Sequence, residues 1–427
     1  MKSLRVGLCG VGNVGGAVLK LLKESSDLLE QQGGVSFELV QVGARKGRSV
    51  VPYDDVAVTT DLMEVANNPD IDIFVELIGG IDLASDLITT AINNGKQIVT
   101  ANKALLAIKG NDIFNLARDK GVEIGFEASV AGGTPVIKAL REGLVANKVE
   151  WFAGILNGTS NYILSEMSVE NTGFSIALEK AQELGLAEAD PTMDIDGTDA
   201  AQKATILAAL AFHIPFDFAS VSYGGIDSVD LEDIKYAGEL GYSIKHIASG
   251  NLIDNKVNVS AFPTLVPHDT LLSQVGQQMN ALELYAQGIG STVYYGPGAG
   301  PEPTASAVIA DLVDIGKGGW QVGISHSSGN MISQENIKAI PRYFRLSARN
   351  EPGVIANISS VFGSKDISIE ALIQHEVKGQ GLEKHDIVPV VILSGPVTDR
   401  DADDLRLNLE EMPEITEAVK QFRIHTH

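Results

Sequence analysis

LRVGLCGVGNVGGAVLKLLKESSDLLE, residues 4–30, is an apolar run, a glycine-rich turn and a helix-like segment in succession. The apolar run has the composition of a buried parallel strand. In the turn, Gly10 permits a sharp bend, Gly12 lets the backbone approach a pyrophosphate, and Gly15 allows close packing of helix against strand. A helix N-terminus supplies amide donors and a positive dipole. We therefore predict a dinucleotide site here, the alternative being a tight turn without a ligand.

Further strand-like and helix-like segments alternate after this motif. Strands are predicted over 37–42, 71–79, 96–100 and 122–130, with a helix over 82–95. Such alternation is typical of an α/β fold with a doubly wound parallel sheet, the Rossmann arrangement. Loops at the carboxyl ends of parallel strands face the ligand crevice. Thr100, Asn102 and Lys103 follow the strand at 96–100, so their position makes them candidate site residues.

The end of the second predicted strand indicates which dinucleotide is bound. At that point a dinucleotide fold usually carries an acidic residue for the ribose 2′-hydroxyl. Here the chain carries Arg45, Lys46 and Arg48 instead. Three cations suit the 2′-phosphate of NADP, so we predict NADP as the cofactor and keep NAD as the alternative. A second interpretation is that the basic turn is solvated surface without a ligand.

The amino-acid composition of the chain restricts the classes of partner that it can bind and its cellular location. The 427 residues include 55 acidic and 32 basic ones, for a formal net charge of −23. Nucleic acids and anionic membranes call for basic patches, so neither is expected as a partner. The single cysteine, Cys9, allows no intramolecular disulfide, and no apolar run approaches the ~18–20 residues of a membrane span. We therefore expect a cytoplasmic protein of several domains.

An acidic stretch, GLAEADPTMDIDGTDAAQKATILAALA (185–211), precedes and enters a predicted helix. Asp196 is the predicted N-cap, and Asp199 and Lys203 lie four residues apart on one helical face. The apolar residues that follow on the face of Lys203 are Ile206, Leu207 and Leu210. Burial would lower the pKa of Lys203 while a nearby carboxylate would raise it, as suits a proton-transfer group. The alternative is a solvated acidic loop followed by an ordinary surface ion pair.

The chain changes character after the first sheet, and four segments are predicted. The whole is an N-terminal Rossmann sheet, an α+β substrate and dimerisation domain, and a C-terminal ferredoxin-like domain with the order βαββαβ. The predicted boundaries are 1–134 for nucleotide binding, 135–302 for substrate and dimerisation, 303–326 for a helix returning to the nucleotide domain, and 341–427 for the last domain. The tail containing His425 and His427 is expected to fray rather than bind metal.

Six separated motifs together resemble the homoserine dehydrogenase family across nearly the whole chain. They are GVGNVG (10–15), TANKALLA (100–107), FEASVAGGTPVI (126–137), LNGTSNYIL (156–164), LAEADPTMDIDGTDAAQK (186–203) and GPGAGPEPTASA (296–307). The last 80 or so residues are similar to the ACT domain appended to many members. The resemblance implies a monofunctional enzyme that interconverts L-homoserine and L-aspartate 4-semialdehyde with NAD(P), in threonine and methionine biosynthesis.

The resemblance also implies roles for individual residues. The implied cofactor residues are Gly10, Val11, Gly12, Asn13, Val14, Gly15, Thr100, Lys103 and Gly300, to which the basic turn adds Arg45 and Lys46. The implied substrate residues are Gly185, Glu188, Asp194 and Lys203. Lys203 is the implied proton donor or acceptor, with Lys103 as its partner and Asp199 orienting it. A structural Na⁺ would be held by Glu127 with the carbonyls of Val130, Gly132 and Thr134.

The chemistry of the residues agrees with these roles. Oxidation of a primary alcohol removes the hydroxyl proton as hydride goes to the nicotinamide, and a lysine of lowered pKa can accept that proton. Glu188 and Asp194 would hold the substrate ammonium group. Two rival hypotheses stay open: an oxidoreductase of another amino-acid semialdehyde, and a catalytically silent nucleotide and amino-acid sensor.

The resemblance of the C-terminal domain to an ACT domain implies a regulatory ligand. The turn from Asn350 to Gly353 precedes a predicted helix, and its backbone amides could meet an amino-acid carboxylate. Threonine is the implied effector, bound where two such domains pair. A purely dimerising domain without ligand is the alternative. A homodimer or a homotetramer is expected.

Overall fold

The computed structural model describes residues 2–46, 51, 53, 55–318, 331–332, 338–375 and 387–426. Three predicted features therefore lie wholly or partly outside the described residues: Arg48, the end of the returning helix at 319–326, and His427. Among the described residues, no helix combines the length and the apolar content needed to cross a bilayer.

Six parallel strands form the first sheet, in the order β3-β2-β1-β4-β5-β6. They are β1 (Lys2–Cys9), β2 (Val35–Gly43), β3 (Ala57–Thr59), β4 (Ile73–Glu76), β5 (Gln97–Thr100) and β6 (Ile124–Gly125). The strand order reverses between β1 and β4, which places the ligand crevice at their carboxyl ends. This topology confirms the predicted doubly wound Rossmann sheet.

Helices cover both faces of this sheet, which explains why its central strand β4 is buried along its whole length. They are α1 (Asn13–Glu24), α2 (Ser26–Leu28), α3 (Leu62–Asn67), α4 (Asp82–Asn93) and α5 (Lys103–Lys120). In β4, Phe74 packs into the core on one face, while Ile73 and Val75 pack into the core on the other. Both cores are therefore built from side chains of the same strands.

The prediction of a strand over 122–130 is wrong in extent. Only Ile124 and Gly125 form β6, and a 3-10 turn over Glu127–Ser129 follows. The chain bends because the Glu127 amide donates to Asp311 (2.9 Å) and its carboxylate accepts hydrogen bonds from amides further along. These hydrogen bonds join residues that are far apart in the chain, so local apolar composition cannot predict them.

In its described residues, the middle region combines a largely antiparallel sheet with seven α-helices. The helices are α6 (Val136–Lys138), α7 (Gly158–Glu170), α8 (Phe174–Glu183), α9 (Thr192–Ile195), α10 (Thr198–Phe212), α11 (Leu231–Glu239) and α12 (Pro301–Gly316). The strands are β7 (Val149–Ile155), β8 (Ser222–Tyr223), β9 (Tyr242–Ile253), β10 (Lys256–Pro267), β11 (Met279–Ala286), β12 (Gly290–Pro297) and β13 (Met331–Ile332). The order β12-β11-β7-β9-β10 is antiparallel, and β8 and β13 run parallel to β10.

Two helices of the middle region connect it to the first sheet. Thirteen of the fifteen residues of α10 are buried, as expected of a helix enclosed on all sides. Its alanines belong to the same core as Leu105 and Ile113 of α5. In α12, Val308 and Leu312 share a core with Val18 of α1. These two contacts hold the carboxyl edge of the first sheet against α10.

The C-terminal module, defined here as residues 338–426 without 376–386, has the order βαββαβ. Its elements are β14 (Arg342–Arg349), α13 (Val354–Ser364), β15 (Ile369–Gln374), β16 (Ile387–Ser394), α14 (Asp399–Glu410) and β17 (Lys420–Ile424). The sheet is antiparallel in the order β17-β14-β16-β15, the ferredoxin-like arrangement.

This module is not separate from the middle region, because β17 also pairs with β10 in parallel. The pairs are Thr264 with Arg423 and Leu265 with Ile424, so one sheet runs through both. The prediction of a frayed tail is wrong for His425, whose amide donates to the Leu265 carbonyl (2.8 Å) and whose side chain is buried.

Candidate active site

The glycine turn after β1 has the geometry that a pyrophosphate requires. Gly10 has φ +101°, and a Cβ there would lie 2.5 Å from the Leu77 carbonyl oxygen. A Cβ on Gly15 would lie 1.9 Å from the Gly10 oxygen, whereas one on Gly12 would meet nothing within 4 Å. Among the described residues no side chain caps α1, so its first-turn amides at Asn13, Val14 and Gly15 have no helical acceptor. The turn can therefore receive an anion.

A buried hydrogen-bond network fixes the start of α5 at the crevice. Glu76, completely buried at the end of β4, accepts hydrogen bonds from the Ile78 amide (2.8 Å) and the Thr100 hydroxyl (2.6 Å). Thr100 in turn accepts from the Asn102 amide (3.0 Å), and Asn102 caps α5. Thr100 and Asn102 thus position Lys103. Glu76 was not predicted, although an acid within the apolar run predicted as a strand over 71–79 was a visible signal.

Lys103, Asp199 and Lys203 form the centre of the site. Asp199 Oδ1 lies 2.6 Å from Lys103 Nζ, and its Oδ2 accepts a hydrogen bond from Lys203 Nζ (2.8 Å). Lys203 Nζ also donates to the Leu156 carbonyl (2.6 Å). Asp199 and Lys203 are buried, whereas the Lys103 side chain remains 36% exposed toward solvent. The structure therefore joins two lysines across one buried carboxylate.

The three charges shift one another's pKa values in different directions. Burial alone would raise the pKa of Asp199, but the two ammonium groups hold it well below its usual range. Attraction by Asp199 raises the pKa of Lys103. Burial lowers the pKa of Lys203 despite the opposing attraction of Asp199. Lys203 is therefore the lysine that releases its proton more readily, and Lys103 stays charged.

Asn157 connects the acidic loop to this centre and was missed as a site residue. Its Nδ2 donates to Asp194 Oδ1 and to Asp199 Oδ2, both at 2.8 Å. Its Oδ1 accepts from the Ser160 amide and caps α7. The sequence showed a break between strand and helix at this point. The break indicates a capping residue but not where the amide of its side chain would donate.

The acidic loop lies beside the lysines but differs in detail from the prediction. The N-cap of α10 is Gly197 (φ +89°), not Asp196, whose carboxylate instead accepts from the Thr198 amide (2.8 Å). Burial raises the pKa of the half-buried Asp194. The exposed Glu188 contributes to raising the pKa of Lys103, so both acids act on the same ammonium. Gly185 is exposed at the end of α8.

The predicted basic turn lies at the carboxyl end of β2. Arg45 and Lys46 are exposed directly after β2. The carbonyl of Gly43, at the end of that strand, accepts a hydrogen bond from the Gly10 amide (3.0 Å). The basic turn is therefore next to the glycine turn.

The loop predicted to hold Na⁺ is largely buried. The Glu127 carboxylate accepts the amides of Ile137 (2.9 Å) and Lys138 (2.7 Å), and burial raises its pKa to about 7. The Gly133 amide donates to the Pro297 carbonyl (3.1 Å), which places this loop against the turn leading to Gly300. Within the described ranges, no three His, Cys, Asp or Glu side chains cluster as metal ligands.

The fold and the site define a nicotinamide-dinucleotide-dependent oxidoreductase. A doubly wound sheet carries a pyrophosphate turn, and a buried lysine of lowered pKa lies at its crevice. Two family models match: "Homoserine dehydrogenase, NAD binding domain" over residues 10–127 and "Homoserine dehydrogenase" over 135–313. The chain belongs to the homoserine dehydrogenase family and is an NAD(P)-dependent oxidoreductase.

Similar proteins match along the whole chain. The homoserine dehydrogenase of Pseudomonas aeruginosa is 41% identical, with 99% of each chain covered, and that of Bacillus subtilis is 36% identical with the same coverage. A crystal structure of a homoserine dehydrogenase from Thiobacillus denitrificans superposes with a TM-score of 0.93 at 40% identity, covering 100% of this chain and 99% of that one. A hyperthermophilic archaeal homoserine dehydrogenase in complex with NADPH covers 73% of this chain and 97% of its own, with a TM-score of 0.63 and 26% identity.

Proposed function

We propose that this enzyme interconverts L-homoserine and L-aspartate 4-semialdehyde, with Lys203 moving the hydroxyl proton. The observation that carries this proposal is the buried contact of Lys103, Asp199 and Lys203 at the crevice. The dinucleotide, when bound, accepts hydride from the alcohol carbon or returns it. Every other step belongs to side chains of this chain.

Proton transfer is assigned to Lys203 because its surroundings favour the neutral amine. In the oxidation direction the neutral Nζ accepts the hydroxyl proton, and in the reduction direction the ammonium returns it. Asp199 and the Leu156 carbonyl hold Nζ in place through hydrogen bonds of 2.8 and 2.6 Å. Lys103 stays charged and stabilises negative charge that develops on the substrate oxygen.

Recognition of the amino-acid part of the substrate is assigned to the acidic loop. Asp194 is held by the Asn157 amide and, with Glu188, offers carboxylates to the substrate ammonium. Gly185 lies at the entrance of the same loop. The Thr159 hydroxyl donates to the Leu186 carbonyl (2.8 Å), which fixes this loop on α7. A charged ammonium would thus meet acids beside the proton-transfer lysine.

NADP is the proposed cofactor, with NAD as the alternative. The glycine turn would hold the pyrophosphate through the open amides of α1. Arg45 and Lys46 would meet the 2′-phosphate, and their place beside the end of β2 supports this. Thr100, Lys103 and Gly300 would lie toward the nicotinamide, since they flank the crevice.

A structural Na⁺ is proposed at Glu127 with the carbonyls of Val130, Gly132 and Thr134. The loop is buried, and Ala131 adopts a left-handed conformation (φ 56°) that is unusual for a residue other than glycine. Thr134 Oγ1 is buried without a hydrogen-bond partner among the described residues. A cation would give this oxygen and the Glu127 carboxylate a favourable partner, so the residues fit the ion.

The C-terminal module is proposed to be an ACT domain that senses threonine. Gly353 has φ +96° and is the N-cap of α13, for which no described side chain forms a capping hydrogen bond, and this supports an open amide site at the turn from Asn350. The domain boundaries at 134, 302 and 341, assembly into a homodimer or homotetramer, a cytoplasmic location and a place in threonine and methionine biosynthesis belong to the same proposal. A dimerising module without ligand is the alternative.

The test of the proposed function is nucleotide absorbance with L-homoserine and with L-aspartate 4-semialdehyde, each with and without threonine. We expect turnover that favours NADPH and falls with threonine. Turnover with a different amino-acid semialdehyde only would support the rival oxidoreductase. Thermal stabilisation by homoserine without turnover would support the sensor hypothesis.

A further inference from the structure

A second cavity, of about 980 Å³, lies between the middle region and the C-terminal module. β8, the loop after it and β10 line one side, and the start of β14, α14 and β17 line the other. None of the lysines and acids of the candidate active site lines it. Ligand sites of small molecules commonly have this size and lie at such boundaries.

Two arginines at this cavity share a single carboxylate. Arg342, the first residue of β14, is completely buried and donates through Nη2 to Asp399 Oδ1. Arg423 donates to Asp399 Oδ2 (2.5 Å) and to the Ser260 hydroxyl (2.6 Å), with its guanidinium 4.1 Å from the centre of the Phe262 ring. Two guanidinium groups therefore face one carboxylate directly.

Two donor nitrogens of Arg342 have no hydrogen-bond acceptor among the described residues. Its Nε and Nη1 are buried and have no hydrogen-bond partner in the part of the chain that the structure describes. A buried donor without an acceptor is unfavourable, and more so on a charged group. Burial, together with the nearby charge of Arg423, lowers the pKa of Arg342 to about 9. The cavity wall therefore has guanidinium donors without acceptors at a fixed position.

Two other cationic side chains of the cavity already have partners. Arg406 pairs with Glu410 (2.9 Å), and Lys420 donates to the Ser228 carbonyl (2.8 Å). Asp403 attracts both buried arginines. The N-terminal turn of α14 lines the cavity and adds a favourable dipole for an anion.

One wall of the cavity packs directly on the acidic loop of the active site. The Ile226 amide donates to the Ile195 carbonyl (2.8 Å). A Cβ on Gly225 would lie only 2.2 Å from that same carbonyl oxygen, so the two backbones are in close contact. A Cβ on Gly197, the N-cap of α10, would lie 2.8 Å from the Gly224 carbonyl oxygen. A displacement of this wall therefore reaches the start of the helix that carries Asp199.

We propose that this cavity binds a small oxyanion, a carboxylate or phosphate group, on the free donors of Arg342, and that its occupancy alters homoserine binding. An anion would satisfy Nε and Nη1 of Arg342 through charge-assisted hydrogen bonds. Binding stands on these contacts alone. The effect on homoserine rests on the proposed function.

The test of binding is the thermal stability of the full-length protein with inorganic phosphate, acetate or L-threonine, each compared with sodium chloride of equal ionic strength. At least one anion should raise Tm, by about 3 °C at roughly a hundredfold excess over its Kd. Arg342→Leu leaves Asp399 paired with Arg423 and should abolish the shift. Arg342→Lys retains the charge with fewer donors and should weaken binding about tenfold in calorimetry. Arg349→Leu, an exposed arginine of the same strand, is the matched control.

Three results would overturn the binding proposal. The first is no stabilisation of the wild type by any of the anions, and the second is an unchanged Tm shift in the Arg342 variants. The third is a change of oligomeric mass in those variants, which would make the cavity an interface between copies. Arg342→Lys decides the question if Arg342→Leu does not fold. For the coupling, the stabilising anion should change KM for homoserine at least twofold in the wild type and not in the variants. An unchanged KM would refute the coupling, whereas absent turnover with an intact Tm shift would refute only the proposed function.

Discussion

Asp199 and Lys103 form an ion pair of 2.6 Å that joins two helices, one beside the parallel sheet and one in the middle region. Lys103 begins α5 at the edge of the parallel sheet, and Asp199 lies in the first turn of α10 in the middle region. Because Asp199 also binds Lys203 on its own helix, the pair brings the cofactor side of the crevice to the proton-transfer lysine.

Lys203→Ala should reduce turnover about 10²- to 10⁴-fold while changing homoserine affinity much less. The reason is that Lys203 moves a proton, whereas the acidic loop holds the substrate. Turnover and KM in both directions measure the effect, and Lys120→Ala, an exposed lysine at the end of α5, is the control. If Lys103 and Lys203 can both be replaced with activity intact, the mechanism is wrong.

The rate of homoserine oxidation should rise with pH through the lowered pKa of Lys203, because only the neutral amine accepts a proton. The rate of reduction should fall over the same range. Asp199→Asn removes the charge that favours the ammonium form, so the midpoint should move to lower pH. Asp190→Asn, an exposed acid of the same loop, should leave the midpoint in place. An unmoved midpoint in Asp199→Asn would show that another group titrates.

Arg45→Ala combined with Lys46→Ala should raise KM for NADPH about tenfold or more, and KM for NADH less than about twofold. Only NADPH carries the 2′-phosphate that these cations would meet. Steady-state kinetics with both nucleotides measures the ratio, and Lys20→Ala on the exposed face of α1 is the control. An unchanged preference would place the 2′-phosphate site elsewhere.

Asn157→Ala and Asn157→Ser separate the two functions of this side chain. Alanine removes the cap of α7, which should cost about 1 kcal/mol of unfolding free energy, whereas serine can still cap. Neither retains the donor to Asp194 and Asp199, so KM for homoserine should rise about tenfold in both. Denaturant unfolding and kinetics measure the two effects. A normal KM in Asn157→Ser would remove Asn157 from the site.

Glu127 should make stability depend on pH when sodium is absent. Its pKa is raised from 4.5 to about 7 in the folded protein. The folded state therefore binds more protons than the unfolded state in this window, and stability should fall by on the order of 3 kcal/mol as pH rises through it. Unfolding in choline chloride measures this slope, which Glu127→Gln should remove. Sodium chloride should flatten the slope in the wild type, and equal slopes in both salts would argue against a Na⁺ site.

Much of the fold could be predicted because its signals are local. The conformations of Gly10 and Gly15 follow from the motif itself, and apolar periodicity located most helices and strands. The spacing of Asp199 and Lys203 likewise placed both on one face of α10. The extended strand predicted at 122–130 failed because the bend at Glu127 is made by partners far along the chain, including Asp311.

Sequence alone was thus sufficient for the parallel sheet, the glycine turn, the helical pair of Asp199 and Lys203, and the βαββαβ order of the last module. Tertiary structure decided which groups that are distant in the sequence come into contact. These contacts are Lys103 with Asp199, Asn157 with Asp194 and Asp199, and the two arginines Arg342 and Arg423 with Asp399. Dihedral preferences and apolar periodicity act over a few residues, so they can be inferred from the order of residue types in the sequence. Contacts between separate elements depend on packing distances and burial, which only the folded chain sets.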